Sequence, residues 1–317
     1  MSRLPPRLGT GAAALAVLGA LALVPTLARR DDVVNFGFVV LLSIALAQSW
    51  NIIGGYAGQV NLGHAAFFGT GALVTRALWT AGTNVLAAML AGAGVAVIFG
   101  LLLGIPAFRL RGAYFAIGTL VLAEILRITI GNVFPEISTL PTATIARYRL
   151  ADRYYLALAL AAAATLAVAL LARSRAGLGM RAVREDEEAA EASGVGALRL
   201  KLTALALSTA LAGLAGGLFA YYHISYYPQH PFAPSWTFDA LLITYIGGVG
   251  TLRGPVLGAI FYTFLKEYLA IRWVDFHLLI FGVLFIAIVL AFPGGLVELT
   301  DRLWKLRRQR LENGGAG

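Results

Sequence analysis

The chain has 317 residues, 59% hydrophobic and only 13% charged, with a mean hydropathy of +0.78; soluble domains carry about 25% charged residues, so this is a polytopic membrane protein. It contains no cysteine, which removes disulfides, thiolate metal ligation and a cysteine nucleophile from any mechanism. The net charge of +9 does not mark a nucleic-acid binder, because the basic residues fall in short loops and a tail beside apolar segments, where membrane topology accounts for them.

The first apolar run, residues 11–28, follows Met-Ser-Arg-Leu-Pro-Pro-Arg. It exceeds the roughly 7 to 15 residues of a signal-peptide core, and further spans follow, so it is read as a retained helix. After Arg29-Arg30-Asp31-Asp32, Val33 to Trp50 forms a second span, which at about 1.5 Å per residue crosses most of a core about 30 Å thick. The next stretch, 51–73, sets Gly54, Gly55, Gly58, Gly63, Gly69 and Gly71 among Asn51, Gln59, Asn61 and His64 with no formal charge. This composition predicts a broken or re-entrant helix, and irregular backbone at membrane depth is held only where protein buries it or it lines a wet cavity. The same glycines equally fit close packing of helices through small-residue faces.

Spans follow at about 84–104, 112–131 and 154–172, with Pro106 and the Arg109-Leu110-Arg111 corner between the first two. Glu124 and Arg127 lie one turn apart within the second of these. An unpaired charge at the bilayer centre costs about 2.5 to 3.5 kcal/mol on insertion scales, so the two are expected to pair. A proton relay would need a second intramembrane acid.

Residues 173–201 are the longest strongly charged island. Arg173, Arg175, Arg181, Arg184, Arg199 and Lys201 stand there against Glu185, Asp186, Glu187, Glu188 and Glu191, a density that must sit in water. Strong helix formers from Arg184 to Ala192 and a stop at Gly194 predict one short exposed helix. Ala189, Ala190 and Ala192 present little bulk and leave room for another protein's surface. Neighbouring carboxylates on such a helix point in different directions, so they form a docking surface and not a metal site.

Leu200 to Tyr222 reads as another span, and residues 223–236 combine aromatics with Pro228, Pro231 and Pro234. This predicts an interfacial loop whose aromatics anchor at the headgroups or meet an external protein. Residues 238–252, interrupted by Gly247, Gly248 and Gly250, are short for a crossing and mirror the first glycine-rich break. Spans to about Ala270 and from about Phe276 to Phe292 complete the chain. The expected fold is a single all-α membrane domain over 1–317, with eight to ten helices and glycine-broken or re-entrant segments. Placing the amino terminus, the Arg109 corner, the island, Arg253 and the basic tail at 302–317 on one side gathers most of the basic residues, which puts both termini in the cytoplasm. No G-x-x-x-x-G-K-[ST] and no H-E-x-x-H occurs, so nothing looks catalytic and energy must come from elsewhere.

Glu188-Ala189-Ala190 with Gly194 four positions later resembles the E-A-A-x-x-x-G coupling loop of ABC importer permeases, without the proline that usually follows. With residues 51–72, the corner and helix at 109–127, the loop at 174–195 and the late glycine-rich segment at 238–261, the chain resembles the inner-membrane permeases of branched-chain amino acid ABC importers, of the LivM type, over most of 33–292. The resemblance implies a bacterial inner-membrane subunit paired with a second related permease, two cytoplasmic ATPases and an external substrate-binding protein. ATP and Mg would bind the ATPases, and no cofactor this chain. The coupling candidates are Arg184, Glu185, Glu188, Ala189, Ala190, Glu191 and Gly194. The path candidates are Asn51, Gly54, Gly58, Gln59, Asn61, Gly63, His64, Gly247, Gly248 and Gly250. Permeases for urea and short amides look similar, and an ion-coupled secondary transporter is the alternative from another class. The few intramembrane charges offer no evident site for an ammonium and a carboxylate, which would leave selectivity to the external protein.

Overall fold

The apolar runs fold as helices, and the computed structural model describes residues 16–28, 30–272, 282–283, 286 and 294–298. A short helix α1 (Ala16–Leu27) precedes α2 (Asp31–Trp50), whose first turn carries Asp31 and Asp32 where the helix dipole favours acid. Then come α3 (His64–Thr80), α4 (Val85–Ala107) and α5 (Ala113–Val133). The strand β1 (Ser138–Thr139) and the turn α6 (Thr142–Ile145) lead to α7 (Leu150–Arg173). The charged island folds as α8 (Arg175–Glu185) and α9 (Glu187–Ala192) ahead of α10 (Ala197–Tyr222). Finally β2 (Ser225–Tyr226) leads to α11 (Pro234–Gly247) and α12 (Gly254–Arg272). The pairing of β1 with β2 is antiparallel and is the departure from an all-α fold. The expected last span over 276–292 falls almost entirely outside the described residues, and the tail at 302–317 lies wholly outside them.

Among the described residues five helices are long and apolar enough to cross a membrane: Asp31–Tyr56, Val85–Ala107, Ala113–Val133, Leu150–Arg173 and Ala197–Tyr222. α10 is the hub, packed on α2, α3 and α4, while α7 lies along α2 and the α11–α12 hairpin along its other side. Small residues permit the closest of these contacts. A Cβ at Gly71 would fall 2.1 Å from the Gly213 carbonyl oxygen, and one at Gly216 would fall 1.8 Å from that of Phe68, so α3 and α10 touch backbone to backbone. Part of the glycine density in 51–73 is therefore packing. The core runs through Phe38, Trp50, Phe68, Tyr154, Leu218 and Phe219.

Candidate functional site

α2 does not break where the glycines begin. It passes at Asn51 into a π-helical turn, Asn51–Tyr56, all six residues buried, and such turns interrupt α-helices frequently at functional sites. The reversal comes at Gly58, at φ +71°, where only glycine is unstrained. Residues 57–63 then climb back beside the turn they have left: Trp50 Nε1 donates to the Asn61 carbonyl at 2.9 Å, and Asn61 Oδ1 accepts from Gly63 N–H at 2.8 Å. The expected re-entrant break is thus a hairpin between a continuous 26-residue helix and α3. Its freed amides find partners, as they must in a dry interior. Leu62 N–H donates to Thr119 Oγ1, and Ala65 N–H to Thr237 Oγ1. The Ser49 hydroxyl donates to the Leu46 carbonyl, so His64 Nε2, 2.7 Å from Ser49 Oγ, is the donor of that pair, and its buried Nδ1 finds no partner among the described residues.

The second glycine-rich turn is bolted to the first. α11 is only 14 residues long, about 21 Å, and after it Gly248 and Gly250 take φ values of +128° and +71°. Asn51 Oδ1 accepts from Gly250 N–H at 2.8 Å and its Nδ2 donates to the Thr251 carbonyl at 3.0 Å. One turn earlier, Gln48 Nε2 donates to the Leu252 carbonyl at 2.9 Å. A Cβ at Gly55 would lie 2.7 Å from Gly250 N.

The charged island reaches into this junction. Ser174 caps α8 by accepting from Gly177 N–H, and near the far end of α8 Arg184 extends to donate from Nη1 to the Gly55 carbonyl at 2.7 Å. Glycine makes the space: a Cβ at Gly58 would sit 2.5 Å from Arg184 Cγ, and one at Gly250 2.6 Å from its Nη1. Glu185 holds the other edge of the guanidinium at 2.6 and 3.1 Å. One side chain of the island therefore touches both turns.

The island is not a single helix. Asp186 adopts extended backbone and accepts from Ala189 N–H, acting as an N-cap, which Asp favours over a helix interior. α9 then ends before Gly194, at φ +83°. Of the coupling candidates, Arg184, Glu185, Glu188, Ala189, Glu191 and Gly194 are exposed. Ala190 is not: it is buried against Val183 and Ala197, which corrects the expectation that it offers a docking face. Glu187 pairs with the buried Lys201 at 2.5 Å, and Glu188 with Arg111 at 3.1 Å. These contacts bring the 109–111 corner to the island, so the corner, the island and the 248–253 turn share one end of the bundle. A cavity of about 320 Å³ opens there, lined by Gly58, Gln59, Arg111, Gly112, Glu187 and Lys201.

Of the path candidates, Asn51, Gly54, Asn61, Gly63, His64, Gly247 and Gly248 are buried in this chain, while Gly58, Gln59 and Gly250 are partly open. Asn51 spends both ends of its amide on backbone, and Asn61 Oδ1 is spent on Gly63 N–H. Sequence reasoning missed Gln48, Ser49, Thr119 and Thr237, whose partners lie far along the chain in all but one case. It also missed Arg76, at the opposite end. That guanidinium is buried, and it donates from Nε to Ser138 Oγ, from Nη1 to the carbonyls of Ala220 and His223, and from Nη2 to those of Ser138 and Ile224, at 2.6 to 3.0 Å. Tyr226 packs over it at 5.1 Å, and burial pushes that phenol up to about 12, so it stays neutral beside the cation. Tyr226 and Phe232 are therefore interior residues of the 223–236 loop, and Tyr227 is the large exposed aromatic.

Residues 33–289 match the family described as the permease component of branched-chain amino acid transport systems. The chain is 29% identical over 318 residues to the high-affinity branched-chain amino acid transport system permease protein LivM of Escherichia coli strain K12, covering 86% of this chain and 72% of that protein. It is likewise 29% identical over 327 residues to LivM of Salmonella typhimurium strain LT2, covering 89% and 74%. No solved structure matches. The family match takes in both glycine-rich turns, the charged island that grips them and the hub helix between, and the chain belongs to the branched-chain amino acid transport permease family.

Proposed function

We propose that this chain is the membrane-spanning subunit of an ATP-driven ABC importer for small apolar amino acids, a single membrane domain in the bacterial inner membrane. It pairs with a second related permease to form the path. Two ATPases dock on the cytoplasmic island and supply ATP hydrolysis, and an external binding protein delivers substrate at the opposite end. The observation that carries this reading is Arg184, which ties an exposed charged element to both glycine turns, while Arg181 packs on Tyr56 of the first. A push on α8 and α9 would act on both turns through the Arg184 guanidinium.

The test uses the importer reconstituted with its partner subunits. Arg184→Gln loses the charge-assisted bond to Gly55 and the Glu185 pair. Leucine uptake is expected to fall at least tenfold while the ATPase subunits still co-purify. Wild-type uptake by that variant would refute the transmission role. Radiolabelled leucine and urea, compared in cells with and without the gene, separate the amino acid from the amide reading.

A further inference from the structure

Glu124 and Arg127 meet at the middle of α5, with Arg127 Nη2 and Nε bonded to Glu124 Oε1 and Oε2 at 2.5 and 2.9 Å. Pairing was expected from the spacing; the direction of the pair was not. α5 is the least buried of the five spans, 11% of its apolar window being covered against 72% for Asp31–Tyr56. Its covered edge, Phe115, Thr119 and Ala123, sits on the return coil of the first glycine hairpin, where Thr119 meets Leu62 and Gly63. Ile117, Val121, Ile125 and Ile128 are open. The ion pair lies in that open stripe, with 37% of the Glu124 and 34% of the Arg127 side chain exposed. A half-open ion pair at the middle of a span is costly against lipid. Charged side chains inside spans face a bundle interior or a water-filled cavity and mark solute pathways.

The geometry points to Glu124 and Arg127 as a contact site for a zwitterion in the path, with the substrate's ammonium on Glu124, its carboxylate in the Arg127 fork and its apolar side chain along Val121 and Ile128. This rests on the importer reading above and fills the gap left there, a place in the membrane for both charges of an amino acid. At rest the two side chains neutralise each other. A zwitterion exchanges one ion pair for two, so the site carries no net charge in any state. A lone cation or anion engages one partner and strands the other in a medium of low dielectric, which is unfavourable. The guanidinium fork matches a carboxylate with two parallel bonds. Binding stays weak because the internal pair must open first, and a passage site has to release its solute.

The test uses the complete importer in proteoliposomes. Val121→Cys and Ile128→Cys, made in this naturally cysteine-free chain, leave the ion pair intact and report on its face. A charged, water-soluble thiol reagent is expected to label both, and saturating leucine to slow labelling at least fivefold, whereas isovalerate and isoamylamine, each lacking one of the two charges, do not. The double variant Glu124→Gln/Arg127→Gln strands no charge, yet maximal leucine uptake is expected to fall at least tenfold. Failure of the charged reagent to reach either cysteine in every nucleotide state overturns the site, as does parental uptake by the double variant, which would leave the pair a purely structural one. Leucine uptake by the wild-type vesicles without protection by leucine sinks the site alone. No uptake by the wild type overturns the importer reading and the site with it.

Discussion

Asn51 is the bolt between the two glycine turns, and its replacement has a calculable cost. Asn51→Ala removes an acceptor from Gly250 N–H and a donor from the Thr251 carbonyl. Leaving a buried backbone group unpaired costs about 1 to 3 kcal/mol, so the two together come to roughly 2 to 6 kcal/mol, toward the low end because Gly250 and Thr251 are half-buried. Asn51→Asp keeps the acceptor but sets a carboxylate oxygen against the Thr251 carbonyl, and is expected to be at least as damaging because a buried charge needs a partner. Gln48 supplies the control. Gln48→Met also frees a carbonyl of the turn, that of Leu252, but it removes a buried Oε1 that has no partner among the described residues. The two effects offset, and the net change is expected to stay within about 1 kcal/mol. Thermal unfolding of the purified chain in a mild detergent ranks the three. Equal stability of Asn51→Ala and Gln48→Met would refute the claim that the Asn51 amide holds the turns together.

Ala190→Trp forces an indole between Val183 and Ala197, and overpacking of that kind costs about 1 to 3 kcal/mol; a lowered unfolding temperature of the isolated chain is the measurement. Ala189→Trp, on the exposed side of the same helix, is expected to leave the unfolding temperature unchanged while blocking co-purification of the ATPases. Arg76→Lys offers three donors where five are used, stranding at least two acceptors at about 1 to 3 kcal/mol each. The fraction of monodisperse protein after extraction is expected to drop, with no rescue by leucine.

The helices were legible because their signal is local. The α-helix ends at Trp50 as read, but the span runs on to Tyr56, because a π-helical turn satisfies its own backbone and carries it through Gly54 and Gly55, residues that read as a break. The split of the charged island lay in plain view as Asp186, yet a carboxylate among four others does not announce itself as a cap. What no single segment carries is partnership. Asn51 is polar, near glycines and in a membrane, which fits a solute contact as well as a brace; its bonds to residues 199 and 200 positions away distinguish the two. Arg184 was expected on an exposed face, and the glycines that make room for it, Gly58 and Gly250, were assigned to the path on composition without any sign that they share one side chain.

The Arg76 cage has a consequence for how the protein is made. All five of its acceptors come from residues that follow it by 62 to 148 positions. At roughly 5 to 20 residues per second of synthesis, the last of them emerges roughly seven to thirty seconds after the arginine. Until then the end of α3 carries a cation with at most the two acceptors of Ser138 to hold, and it must wait in the headgroup region, where water can serve. α3 therefore takes its final depth late, when the end of α10 arrives, and the order of translation becomes part of the order of assembly.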